Sequence, residues 1–487
     1  MADDAPSTRE PREIPAGWAL VPVLALVALL TTVLIVLPRL EPGFEGTGHL
    51  PLLAAAAVAA AVAHRFGHDW NALELAVVEA IRMAMRAILI LLVIGMLMGT
   101  WLAGGIVPAL IHWGLMLLSP GWFLPTACAV CSIVSLVSGS SWSTAGTVGL
   151  AMIGIGGAMG IDPAMTAGAV VSGAYFGDKL SPMSDTTNLA PAMAGTELFT
   201  HIRHQVLTTG PAWAIAMVGY TILGLTLDPN TAAAGMGSIG ATIEANFHPG
   251  LLHLLPPLVV VGLVLRGKPA LPVLLLGVVL GAVVAVAAEG ATVGSTLSAA
   301  MSGYVATTGD AAVDELLSRG GMSSMGSTVF LVLCAMSFGG IMEGTGMLRA
   351  LAARLLRAAT NTGRLIATTV LTSVGINVVA GDQYISIVVP GRMYAATYRE
   401  RGLHPKNLSR ALEDGGTITS PLIPWNTCGA FMAATLMVPT GAYLGYAFLN
   451  IVNPLISILY GVMGWTIAPA DPPSAGPHED SSRTPST

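Results

Sequence analysis

Runs of about twenty apolar residues recur along this chain, and they set its solvent before any motif is considered. Trp18 to Leu37, Ala87 to Ala103, Val206 to Leu227, Ala270 to Ala288 and Ala442 to Trp465 each approach the ~20 residues that an α-helix needs to cross a bilayer. Of the 487 residues, 54% are hydrophobic and only 10% charged, against roughly 25% charged in an ordinary soluble domain. The expected class is therefore an all-α polytopic membrane protein, with roughly ten to fourteen membrane helices depending on how helix pairs are counted. A net charge of -6 without a long basic run offers no footprint for nucleic acid.

Charge along the chain divides it. Residues 1–16 mix Asp3, Asp4, Glu10 and Glu13 with Arg9 and Arg12, so they lack the basic start of a cleaved signal and read as a disordered cytoplasmic tail. Residues 467–487, rich in Pro, Ser and Asp, read as a second such tail. Arg65, Arg82 and Arg86, then Arg266 and Lys268, then the arginines from 349 to 364 and from 392 to 410 mark cytoplasmic loops. Gly99 to Leu110 matches Gly340 to Leu351 at a shift of 241, and Ser181-Pro182 recurs as Ser420-Pro421 at 239. The loops that are basic from 349 to 364 and from 392 to 410 carry no Lys or Arg at the matching positions of the other half. Two inverted-topology repeats follow as the expectation, 17–227 and 251–466, joined by an external linker at 228–250, with both termini in the cytoplasm.

One stretch breaks the apolar pattern. GAYFGDKLSPMSDTTNLAPAMAG, from Gly173, places Asp178, Lys179 and Asp185 within eight residues around Ser181-Pro182. Asp178, Ser181, Asp185 and Asn188 would share a helical stripe, while Pro182 removes a backbone donor and should free the carbonyl of Asp178. An ionisable group within a membrane costs at least ~2.5 kcal/mol, so it normally faces a partner or a wet cavity. Carboxylates, hydroxyls and freed carbonyls suit a hard cation; His or Cys, which softer metals prefer, are absent from this stretch. Asp178 and Asp185 are accordingly the leading cation and proton ligands, with Ser181, Thr186 and Asn188 as supports. The bland alternative is that Lys179 neutralises Asp178 and Asp185 caps a helix.

In the second half, TITSPLIPWNTCG from Thr417 carries two prolines and the oxygens of Thr419, Ser420, Asn426 and Thr427, without an acid. It is expected to complete the ion's shell. Asp382 in VAGDQYIS is a further candidate ligand, with Glu343, Ser140 and Ser141 as possible additions. Their bland readings are a hairpin turn, an interfacial carboxylate and a polar helix cap. Glu413 and Asp414, close to Arg410, read as a surface pair, and His201 and His204 as interfacial anchors or a pH sensor. Cys128 and Cys131 form a C-x-x-C inside an apolar helix with no second pair, which points to packing, as for Cys334 and Cys428. No cofactor is expected, and a serine hydrolase lacks both a paired histidine and a nucleophile-elbow context.

YFGDKLSPMSDTTNLAPAMAGTELFTHIRH from Tyr175, GDQYISIVVPGRMY from Gly381 and LEDGGTITSPLIPWNTCGAFMAATL from Leu412 resemble the NhaC family of Na+/H+ antiporters, over most of residues 18–465. The resemblance implies exchange of Na+ for H+ across the cytoplasmic membrane by alternating access. It also implies a scaffold with a mobile transport domain, and a homodimer. A sodium-lactate/malate-proton exchanger looks similar too, so organic-anion exchange is the alternative, with Lys179 and Arg392 as possible carboxylate holders. A cation channel ranks below both.

Overall fold

A computed structural model describes residues 11–41, 44, 46–227 and 229–470. The regular structure among them is helical, apart from an isolated bridge between Leu403 and Pro469. Among the described residues, seven helices are long and apolar enough to cross a membrane, or up to nine if two bent pairs, Gly237–Asn246 with Leu251–Leu265 and Thr427–Leu436 with Thr440–Tyr446, each form one span. Three shorter apolar helices, His49–Arg65, Ile106–Leu117 and Phe448–Met463, add to these. The chain is an all-α polytopic membrane protein. Of the two tails expected at the ends, residues 1–10 and 471–487 lie outside the described residues, and the expected linker is helical over Pro229–Asn246.

One order of elements occurs twice. Trp70–Ala103 turns through Gly105 into Ile106–Leu117, as Gly326–Gly344 turns through Gly346 into Met347–Leu356. A helical hairpin follows in each half. Pro120–Ser138 stops at Gly139 with φ 69°, and Thr362–Ala380 stops at Gly381 with φ 67°; this left-handed backbone is where glycine is favoured. Ser140 and Asp382 then cap the returning helices, which begin at Ser141 and Gln383. The first return passes through a π-turn at Ala145–Gly149 before Leu150–Ala158.

A broken helix completes each half: Pro163–Leu180 then Asp185–Ala194, and Lys406–Gly415 then Thr427–Leu436. Gly139 and Gly381 are 242 residues apart, as are the capping residues Ser184 and Asn426. The Ser-Pro match at 239 pairs different places. Ser181 directly follows its helix, whereas Ser420 opens a 3-10 turn inside a gap from 416 to 426.

Packing holds the first break against the first hairpin. Pro163–Leu180 lies so close to Pro120–Ser138 that a Cβ on Gly177 would stand 2.0 Å from the Leu136 backbone nitrogen. Only a glycine permits that approach, and it brings the next residue, Asp178, against the hairpin tip. The four cysteines are free and buried, as packing residues should be.

Candidate ion-binding site

Three carboxylates meet at one cavity of about 320 Å³, whose lining includes Asp178, Asp185 and Asp382 with Ser140, Ser141 and Thr427. Asp178 is buried two residues before its helix ends. Its Oδ2 accepts a hydrogen bond from Ser141 Oγ at 2.6 Å and its Oδ1 one from Ser184 Oγ at 2.7 Å. Hydroxyl donors of this kind stabilise the ionised form without neutralising its charge. Asp185 begins the helix after the break and is exposed to the cavity, where Oδ2 accepts a hydrogen bond from the hydroxyl of Tyr384. Asp382 caps Gln383–Glu400: Oδ1 accepts from the Tyr384 and Ile385 nitrogens at 2.8 and 3.2 Å, and Oδ2 from Thr427 Oγ1 at 3.3 Å.

The first residues of four helices, at Ser141, Asp185, Gln383 and Thr427, line this cavity. Helix N-termini carry partial positive charge, which favours a carboxylate and disfavours a bare cation. Any attraction for a cation here would have to come from the acids. Arg86 and Lys268 line the same space.

The continuous stripe expected from Asp178 to Asn188 is interrupted, because the helix stops at Leu180 and restarts at Asp185. Ser181 is buried and accepts from the Met183 nitrogen at 3.2 Å. Thr186 meets Ser184 Oγ at 3.2 Å, and Asn188 donates to the carbonyls of Pro182 and Ser184 at 2.9 and 2.6 Å. None of the three lines the cavity. The Asp178 carbonyl is taken by the Thr187 hydroxyl at 2.6 Å. In the second half Thr419 donates to the Gly415 carbonyl at 2.6 Å, Ser420 to that of Thr417 at 2.7 Å, and Asn426 caps Thr427–Leu436 through the Cys428 nitrogen at 3.0 Å. These too, and half-buried Glu343, stand outside the lining.

Glu413 and Asp414 are not a surface pair: both are fully buried. The Lys179 ammonium donates to Asp414 Oδ1, and both side chains are wholly inaccessible. Gln205 at 2.8 Å, Thr208 at 3.3 Å and Asn453 at 2.7 Å donate to the same oxygen. Lys179 thus neither pairs with Asp178 nor faces the cavity, and Arg392 is exposed elsewhere. His201 and His204 are buried rather than interfacial, with His201 Nδ1 2.8 Å from Ser409 Oγ. Sequence reasoning missed Tyr384 and Ser184; the first stands two residues after Asp382, and the second ends the break as an N-cap serine, a recognisable signal.

Discontinuous helices with buried acids at their breaks define a secondary transporter. A model described as the Na+/H+ antiporter family matches residues 173–465. The Na+/H+ antiporter NhaC of Alkalihalophilus pseudofirmus is 39% identical over 92% of this chain and 96% of its own. The arginine/ornithine antiporter ArcD of Halobacterium salinarum is 36% identical over 95% of both chains. The malate-2H+/Na+-lactate antiporter of Bacillus subtilis is 33% identical over 82% of this chain and 86% of its own. The chain belongs to the Na+/H+ antiporter family.

Proposed function

We propose that this protein exchanges Na+ for H+ across the cytoplasmic membrane, with Asp178, Asp185 and Asp382 binding either the cation or protons. The convergence of these three acids on one cavity is the observation that carries the reading. Competition for shared carboxylates gives exchange without a chemical reaction: a bound cation favours the ionised acid, and burial favours the protonated one. Ser141, Ser184, Tyr384 and Thr427 hold the acids in place. Residues 17–227 and 251–466 act as inverted repeats, and both termini lie in the cytoplasm.

The cavity includes Arg86, Gly267 and Lys268 in its lining, from the basic segments assigned to the cytoplasm. This arrangement therefore opens inward. Trp142 lines the cavity and stacks on Phe431 with centroids 4.0 Å apart, while Ala433 and Ala434, further along the same helix, line a separate cavity with Tyr304 and Arg319. Alternating access moves the acids across this barrier in a homodimeric, elevator-like carrier.

Reconstitution tests the reading. An outward Na+ gradient in proteoliposomes should drive inward proton movement, and Asp178→Asn should reduce it by ~100-fold or more, as expected when a buried charged ligand is lost. Asp185→Asn should impair it as well; unchanged Na+-driven proton movement in these variants would refute the assignment. Exchange of a small organic anion is the second reading. A cavity of about 320 Å³ is large for one ion, and the cationic side chains Arg86 and Lys268 are part of its lining. Lactate or malate uptake without any cation-dependent pH change would favour it.

A further inference from the structure

The buried cluster behind the cavity contains an acid with no role in the mechanism above. Glu413 is fully buried, outside the cavity lining, and neither carboxylate oxygen makes a hydrogen bond of normal geometry. Its electrostatic neighbours are Lys179, Asp178 and Asp414, and the Thr417 hydroxyl lies close to it. Lys179 is engaged by Asp414, so an ionised Glu413 has no cation of its own in this arrangement. Burying an uncompensated carboxylate is strongly unfavourable. The neutral acid is the form these surroundings accept.

Position in the repeat gives an independent reason to connect Glu413 with transport. Asp178 stands two residues before the end of Pro163–Leu180, and Glu413 two residues before the end of Lys406–Gly415. Lys179 and Asp414 follow them and join the two broken helices. Two adjacent acids on one broken helix thus adjoin one lysine on the other, and only one of them holds it. A step that shifted these helices relative to each other would let the lysine change the acid it serves.

Other titratable groups near this helix are hydrogen-bonded, face solvent, or are buried with some atoms unbonded. Arg410 donates to Thr466 Oγ1 at 2.8 Å, His201 is bonded to Ser409, and Tyr394 and Tyr398 are bonded to Thr372 and Thr369. His204 is buried with Nε2 unbonded, like Arg410 Nε and Nη2 and Gln205 Oε1. Asp185, Arg203, Arg364, Arg392, Arg399 and Glu400, on neighbouring helices, are exposed, and Lys406 and Tyr460 are half-buried. Unbonded donors and acceptors gathered in one buried cluster are the usual setting of ordered water.

We propose that Glu413 is a second proton-carrying residue. It binds one H+ as the carboxylic acid while the site faces outside and releases it inside when Lys179 turns to the resulting carboxylate, Asp414 keeping its hydrogen bonds from Gln205, Thr208 and Asn453 and the nearby charge of Arg410. This rests on Na+/H+ exchange as the function. The coupling ratio tests it, measured in proteoliposomes as the Na+ gradient that just balances a set pH gradient and voltage. Wild type must first show coupled exchange; without it the functional reading fails, independently of Glu413.

Given coupled exchange, Glu413→Gln should lower the ratio by one H+ per Na+, and an unchanged ratio would overturn the proposal. If Glu413→Gln does not fold, Glu413→Asp keeps the acid but moves it. A wild-type ratio with a displaced pH profile would then support the proposal, and a wild-type pH profile would overturn it.

Discussion

The two broken helices follow one plan and close their open backbone differently. In the first the gap spans only 181–184, and a single hydroxyl, that of Thr187, takes the Asp178 carbonyl. The second gap runs from 416 to 426, and a series of side chains fills it: Asn377 donates to the Gly416 carbonyl at 2.5 Å, Asn450 to that of Ile418 at 2.8 Å and Tyr443 to that of Pro421 at 2.6 Å. A membrane interior has no bulk water to satisfy such groups. The protein therefore satisfies them itself, and the carbonyls freed by proline are not left for an ion. In the proposed mechanism attraction for the ion falls to carboxylates, and these are placed unequally: two acids flank the first break, while in the second half the acid facing the cavity sits on the hairpin, where the first half has Ser140.

The ion pair joining the two breaks should show the largest effect on stability. Asp414→Asn leaves the Lys179 ammonium buried without its anion and should cost about 3–5 kcal/mol, read as a lower unfolding midpoint in detergent. Lys179→Met combined with Asp414→Leu should lose less than the single changes suggest, because neither charge is left alone. Additive losses would mean that the pair does not couple the halves.

A smaller contrast separates the hydroxyls that hold the acids. Ser141→Ala removes a 2.6 Å bond to Asp178 and should weaken apparent Na+ affinity about 10-fold, since a hydrogen bond to a charged group contributes ~1.5–3 kcal/mol. Thr427→Val removes a longer bond of 3.3 Å to Asp382, and about 3-fold is expected. Equal effects would place the two carboxylates on the same footing.

A further contrast lies between the hairpin tips. Alanine at Gly139 or Gly381 must adopt the left-handed conformation, at about 1–2 kcal/mol each. At Gly139 the added Cβ also falls 2.6 Å from the Met183 carbonyl carbon, against a closest approach of 3.3 Å at Gly381. Thermal shifts should therefore rank Gly139→Ala below Gly381→Ala, and the reverse order would show that the first tip yields.

Much of this was legible in the residues. Apolar runs of membrane length, Pro182 after Asp178, and Gly-Asp at a hairpin turn each report a local rule of backbone or solvation, and local rules can be read along a chain. The paired breaks were visible, but their register was not, because gaps of unequal length shift the match. An alignment on Ser-Pro leaves Asp178 without an acidic counterpart; alignment on the helix ends gives it Glu413.

Sequence alone determined that this chain is a helical membrane protein with charge concentrated at a helix break, since both follow from what hydrocarbon excludes. Tertiary structure decided which acids share a cavity and which are locked away. Lys179 follows Asp178 in the chain yet pairs with Asp414 in the other half, while Asp178 takes hydroxyls from Ser141 and Ser184. Successive side chains on a helix point about 100° apart, so neighbours in sequence face different partners, and only the packing of the two halves says which.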